Sequence, residues 1–244
     1  MSRITLLLAA LFFSFTTPAA AQDNSFFERP WRLNLNLWGA GIDGSVGTSD
    51  LLVDVSSDAF DDTGIFGTLT WHDPDGRVGF IGSLYVMDTN PAGMIRSGGV
   101  SIPTSMDVDN SILEAAFTWN LGKPDSRIDL FGGVRHWDLD AKSSSPVAGP
   151  ASFGDSWSDL LLGVNFTPRL GENWRLDLRF DYSSGDSNGI WGVWAAVVWA
   201  FGDSAGATLG IKYLNADMDT SKGPNTFSGD VELLGPALGV EFAF

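Results

Sequence analysis

Alternation at a period of two residues runs through almost the whole chain after Pro30. In Trp174–Gly185, Trp174, Leu176, Leu178, Phe180 and Tyr182 share one parity, and Arg175, Asp177, Arg179 and Asp181 share the other. A helix would scatter these charges around its axis, whereas a strand gathers them into one ionic row on one face. Similar runs begin at Trp31 and Gly64 and continue through Arg77–Asp88, Ile112–Leu121, Arg127–Asp140 and Trp157–Phe166. Further ones occupy Ile190–Phe201, Ala207–Leu214 and Glu232–Phe244. The pattern predicts about ten strands, within a range of eight to twelve, and no long helix. The range comes from Asp50–Asp62, readable as a plug helix or an extra strand, and from the run Val193–Phe201, which is apolar on both parities.

The connections alternate too. "DPDG", "GKPDS", "PRLGEN" and "GDS" make tight turns after every second strand, and the intervening links, such as Gly44–Thr63 and Ala141–Asp155, are long and polar. Short turns at one end and long loops at the other are the asymmetry of a transmembrane antiparallel up-and-down β-barrel. Strands of this length match the ~9–11 residues needed to cross the hydrocarbon at a tilt. One face then meets lipid, and the other fills a narrow lumen with groups that must satisfy one another.

Extending the lumen parity to every strand places Arg32, Arg77, Arg135, Arg175, Arg179 and Lys212 inside, with Glu114, Asp129, Asp159, Asp177, Asp181 and Glu241. A charge on the lipid face at the midplane costs about 2–4 kcal/mol for Arg or Lys, so this set belongs inside. Trp31, Trp71, Trp119, Trp174, Trp199 and Phe244 fall near strand ends on the turn side. Tyr182, Trp191 and Tyr213 fall on the loop side, so the two groups are placed as interfacial girdles.

Composition sharpens the class. The 244 residues carry 14 Lys and Arg against 30 Asp and Glu, a net charge of −16, which argues against nucleic acid. Because the lumen set is balanced, the excess acid is expected in the loops. There are no cysteines, so neither disulfides nor thiolate metal sites contribute. Residues 1–21 combine Arg3, an apolar run from Ile4 to Phe15, Pro18, and small residues at Ala19 and Ala21. That is the order of a signal peptide, followed by a periplasmic segment over 22–30 and the barrel over 31–244.

The chain ends "GPALGVEFAF", with Leu238, Val240, Phe242 and Phe244 on one parity. Here it resembles bacterial outer-membrane β-barrel proteins, in which an aromatic C-terminal strand is the assembly signal read by the barrel-assembly machinery. Through "GGVRHWDLD", "WSDLLLGV" and the same C-terminal run it looks like the small proteobacterial barrels of the OmpA-like or opacity-like kind. The resemblance implies an outer-membrane location with both termini periplasmic, and outer-membrane lipids and lipopolysaccharide as neighbours. It implies no particular activity.

Candidate chemistry is sparse. Gly39, Gly41 and Gly44 satisfy GxGxxG, but no helix is predicted to follow, so dinucleotide binding is not expected. Asp217–Gly223 departs from a calcium loop in its glycine and closing position, and Asp50, Asp54, Asp58, Asp61 and Asp62 form only an acidic cluster. His136 and Asp138, with Ser183, Ser184 and Ser187 in a loop on the same side, could assemble a hydrolase or acyltransferase acting on lipid A. The reading is a non-enzymatic monomeric barrel without cofactor, structural or surface-interacting through acidic loops. The alternatives are a narrow porin and that lipid A-modifying enzyme.

Overall fold

The computed structural model describes residues 26–48, 51–97, 100–123, 125–145, 149–218 and 227–244. The expected signal peptide, Asp50 and most of the Asp217–Gly223 stretch lie outside them.

A short 3-10 turn, Phe26–Glu28, precedes eleven strands: β1 (Trp31–Thr48), β2 (Leu51–His72), β3 (Val78–Thr89), β4 (Ala92–Ser97), β5 (Val100–Asn120), β6 (Ser126–Ser145), β7 (Gly149–Pro168), β8 (Trp174–Gly185), β9 (Gly189–Ala200), β10 (Ala205–Asp217) and β11 (Phe227–Ala243). All pairings are antiparallel, mostly between chain neighbours; β3 pairs with β5 and β2 with β4, and β1 also pairs with β11, closing the sheet. Ten strands make the barrel. The eleventh, β4, fills the gap above the short β3 by pairing with Val53–Ser56 of β2 and with Val100–Ser105 of β5. Closure leaves the wall at membrane level without a free edge, while above it residues 149–158 of β7 pair with β6 alone. The ring is tight enough that a Cβ at Gly133 would lie 1.9 Å from the Ala115 carbonyl oxygen, which only glycine tolerates.

The strands are longer than the hydrocarbon requires. The stretches expected as polar loops, Gly44–Thr63 and Ala141–Asp155 among them, are largely strand, and Leu51–Asp62 is neither plug nor separate strand but the start of β2. β1 and β2 keep pairing up to Thr48 and Leu51, and β6 and β7 up to Ser145 and Gly149. Polarity misleads here because the alternation persists while its meaning reverses. Along β6, Asp129 and Arg135 face in while Ile128, Leu130 and Val134 face out; beyond His136, Trp137, Leu139 and Ala141 face in while Asp138, Asp140 and Lys142 face out.

The same inversion occurs at one level around the wall. Outward Val86 gives way to Asp88, Leu113 to Ser111 and Asp109, Tyr213 to Asn215, and Leu234 to Glu232 and Asp230. Below this level the exterior is a continuous apolar belt, including Leu37, Phe117, Leu162, Leu209 and Leu238, with Phe117 78% exposed. Such a belt is far beyond what a water-facing surface carries and calls for hydrocarbon. Above the level the extension is built like a water-soluble β-protein, polar outside and apolar inside.

Aromatics mark both edges of the belt. Trp31 and Trp71 lie 6.1 Å apart and Trp174 stacks on Trp199 at 6.0 Å near the short turns. Trp191 sits 4.7 Å from Tyr213 at the inversion level, where Tyr182 pairs with Trp191 in register. Eight residues separate Trp174 from Tyr182, about 26 Å of strand; tilted, that approaches the ~25 Å apolar band of an outer-membrane barrel.

Candidate functional site: the filled lumen

Inside the belt, inward positions of four strands, β5, β6, β8 and β11, converge on a network of ion pairs. Arg135 of β6 donates from Nε and Nη2 to Glu114 Oε1 of β5, at 2.8 and 2.6 Å, and also pairs with Asp181 of β8. Arg179, two residues before Asp181, donates to Glu114 Oε2 at 2.8 Å and to Asp181 Oδ2 at 2.7 Å. Two arginines and two carboxylates thus form a closed ring across the barrel, with Arg135 only 1% exposed. Each carboxylate has two cationic donors, which offsets the desolvation that makes isolated buried charges so costly.

Towards the short turns a second group centres on Arg175, which grips Asp177 at 2.9 and 2.8 Å and Glu241 at 3.0 and 2.9 Å. Asn34 adds donors to Glu241 and Thr208. Nearby, Arg127 and Asn120 both donate to Asp129, each with a contact of 2.9 Å. At the opposite side of the ring, Asp159 accepts from the Ser187 hydroxyl and amide at 2.6 and 3.0 Å and from Ser183 at 3.3 Å. Lys212 meets no carboxylate among the described ion pairs. Its Nζ approaches the Tyr85 hydroxyl at 3.4 Å and lies 4.4 to 5.9 Å from the ring centres of Tyr85, Phe66 and Trp38, a cation–π cage.

Most residues placed in the lumen by parity are therefore found there: Arg32, Glu114, Asp129, Arg135, Asp159, Arg175, Asp177, Arg179, Asp181, Lys212 and Glu241 are buried or nearly so. Arg77 is not. It is exposed in the turn before Val78, so strand parity has no hold on it. Arg127 takes the sixth cationic place instead, keeping acids and bases matched. It stands two residues before Asp129 on the same parity, so the alternation itself could have found it. Leu238, Val240 and Phe242 face outwards on β11, and Phe244 pairs by backbone with Trp31.

Two further layers close the interior. Above the ring, Trp38, Val53, Met87, Trp137, Leu139 and Leu233 belong to a continuous apolar core, with Trp137 stacked on Trp157 at 5.6 Å. Below it, Phe26 and Phe27 of the N-terminal turn tuck against Val198, Ala200 and Ala243, and Arg175 lies 5.2 Å over the Phe27 ring. The remaining hollow within the ionic layer is only about 100 Å³.

The serine–histidine constellation is not assembled. Ser183 and Ser187 point inwards to Asp159, while His136 stands on the outer wall, where its Nδ1 meets Ser158 Oγ at 2.9 Å. The sheet itself separates them, because residues of opposite parity cannot share a face. Gly39, Gly41 and Gly44 lie within β1, next to a bulge at Ala40–Ile42, and no helix follows. Among the described residues no group of His, Asp and Glu is placed to hold a metal.

No protein-family model matches the sequence, and no curated protein matches it. Solved structures do. The outer-membrane protease OmpT of Escherichia coli is similar with a TM-score of 0.63 at 10% identity, over 91% of this chain and 99% of that one. The transport unit of the Escherichia coli autotransporter AIDA-I gives 0.48 at 9% identity over 99% and 97%, and OprG of Pseudomonas aeruginosa gives 0.43 at 12% identity over 91% and 99%. At such identities the likeness is one of fold, and with the closed wall and apolar belt it makes this chain an integral outer-membrane β-barrel.

Proposed function

We propose that this protein is a sealed, non-enzymatic barrel that presents an acidic, rigid extension at the cell surface, in a structural or surface-interaction role. Both termini and the short turns face the periplasm, and the long hairpins face out. The barrel is monomeric, surrounded by outer-membrane lipid and lipopolysaccharide, and its C-terminal strand, with Leu238, Val240, Phe242 and Phe244 on its outer parity, engages the assembly machinery during insertion.

The observation that carries this reading is the layered filling of the interior: apolar core, ion-pair ring and N-terminal phenylalanines occupy it in succession. A conducting porin needs a continuous aqueous path, and here three layers of side chains obstruct it. The exterior of the extension carries Asp88, Asp109, Asp138, Asp140, Asp230 and Glu232, all exposed. A predominantly acidic surface on a rigid scaffold suits contact with basic partners.

Planar bilayers containing the refolded protein should stay electrically silent. Stable open-state steps would instead establish the narrow porin. Structural likeness to a protease at 10% identity transfers no catalytic residue, and His136 is held by a serine hydroxyl with no carboxylate within 4.0 Å among the described ion pairs. Cells expressing the wild type and His136→Ala should therefore show the same lipid A mass spectrum as cells lacking the protein. A mass change present with the wild type and lost in the variant would reverse the assignment in favour of a lipid-acting hydrolase.

A further inference from the structure

The short-turn mouth departs from the acidic character of the rest of the molecule. It opens into a vestibule of about 880 Å³ lined by Arg29, Arg32, Arg77, Arg127 and Arg169, with His72. Glu28, Asp73 and Asp75 also line it, so the formal charge of its wall is positive in a chain whose net charge is −16.

The arginines are not equivalent. Arg127 is committed to Asp129, and Arg169 to Glu28 at 3.2 Å and Asp125 at 3.6 Å. Arg32 is only 9% exposed, yet among the described residues its guanidinium has neither an ion pair nor a hydrogen-bond acceptor. It forms part of the wall of both the vestibule and the smaller hollow above. Arg29, at the end of the N-terminal segment, buries its Nε without an acceptor. A guanidinium left to solvent alone at the floor of a vestibule gains short, charge-assisted and often bidentate hydrogen bonds when it meets an oxyanion. Every other buried arginine of the lumen has such a partner within the protein.

We propose that this mouth is a binding site for a small oxyanion of the phosphate type, held by Arg32 at its floor and Arg29 at its entrance, with Arg127 contributing field from the wall. The site ends at Arg32, because Arg175 with Asp177 and Glu241 fills the barrel beyond it. The assignment needs only the closed barrel, and is independent of the surface role proposed above. Beyond Arg32, Arg175 and Arg179 are already paired with carboxylates, so the site is a terminus and not a step in a conduction path.

The test uses the full barrel refolded in detergent micelles, titrated calorimetrically with inorganic phosphate at constant ionic strength. The expected result is saturable binding near one phosphate per chain, weakened about tenfold or more in Arg32→Gln and by less in Arg32→Lys, which keeps the charge but loses the fork. Heat-modifiable gel mobility reports folding of each variant. Should Arg32→Gln fail to fold, Arg29→Gln decides the matter: Arg29 precedes the first strand, and its loss should weaken binding several-fold. Absence of saturable heat up to on the order of 10 mM phosphate overturns the site, as does wild-type affinity in the folded variants.

Discussion

Replacing Arg135 by Met should cost the barrel about 3–5 kcal/mol, read as a fall in the urea midpoint of the refolded protein with heat-modifiable mobility as the folding check. Arg135 is the hub of the ring, and its removal leaves Glu114 and Asp181 facing each other with only Arg179 between them. Two carboxylates sharing one guanidinium in a site sealed from water are partly uncompensated, and that penalty, not the lost contact itself, dominates. Glu114→Gln in the same background should recover part of the loss, because it removes one of the two stranded charges. Full additivity of the two single changes would show that the ring is not a coupled unit. Arg169→Gln gives the contrast: its partners Glu28 and Asp125 are half to largely exposed, so less than about 1 kcal/mol is expected.

The second large effect concerns the inversion level. Leu162 faces outwards in the middle of the apolar belt, opposite Gly132 in register. Leu162→Arg should destabilise the barrel in lipid by about 2–4 kcal/mol, the cost of an arginine at the hydrocarbon midplane. On β6, Asp138 shares the outward parity but stands above the inversion, so Asp138→Arg should stay within about 0.5 kcal/mol. Its neighbour Leu139 is 5% exposed in the apolar core of the extension, and Leu139→Arg should be as damaging as Leu162→Arg or worse, since it buries a charge with no partner. The three variants together distinguish a reversal of environment from a simple inside–outside rule. If Leu162→Arg were harmless in lipid vesicles, the belt would not face hydrocarbon and the membrane reading would fall.

This reversal also explains which parts of the site were legible in the alternation. From Trp174 to Asp181 lipid outside and a charged, side-chain-filled lumen inside give each side chain two sharply different options, and parity assigns them; the same rule reached Arg135 on β6 and Glu114 on β5. It failed at Arg77 because the residue sits in the turn, where the two-residue period has ended. It missed the role of Tyr85 because a phenol holding an ammonium among three aromatic rings leaves no charge pattern to read. Phe26 and Phe27 were equally hidden, since a segment outside the strands acquires a place only once the mouth exists to receive it.

The one-dimensional pattern determined the membrane-level strands, the short turns, the strand number within two and the facing of nearly every membrane-level side chain, because a period of two and a low-dielectric exterior are local constraints that each residue obeys on its own. Tertiary structure alone decided how high the wall rises, where inward changes from ionic to apolar, which acid meets which base, and that Arg32 is left without a partner among the described residues. Those outcomes depend on register between strands far apart in the chain, Glu114 with Asp181 or Arg175 with Glu241, and register is set by closure of the whole sheet and not by any strand in isolation.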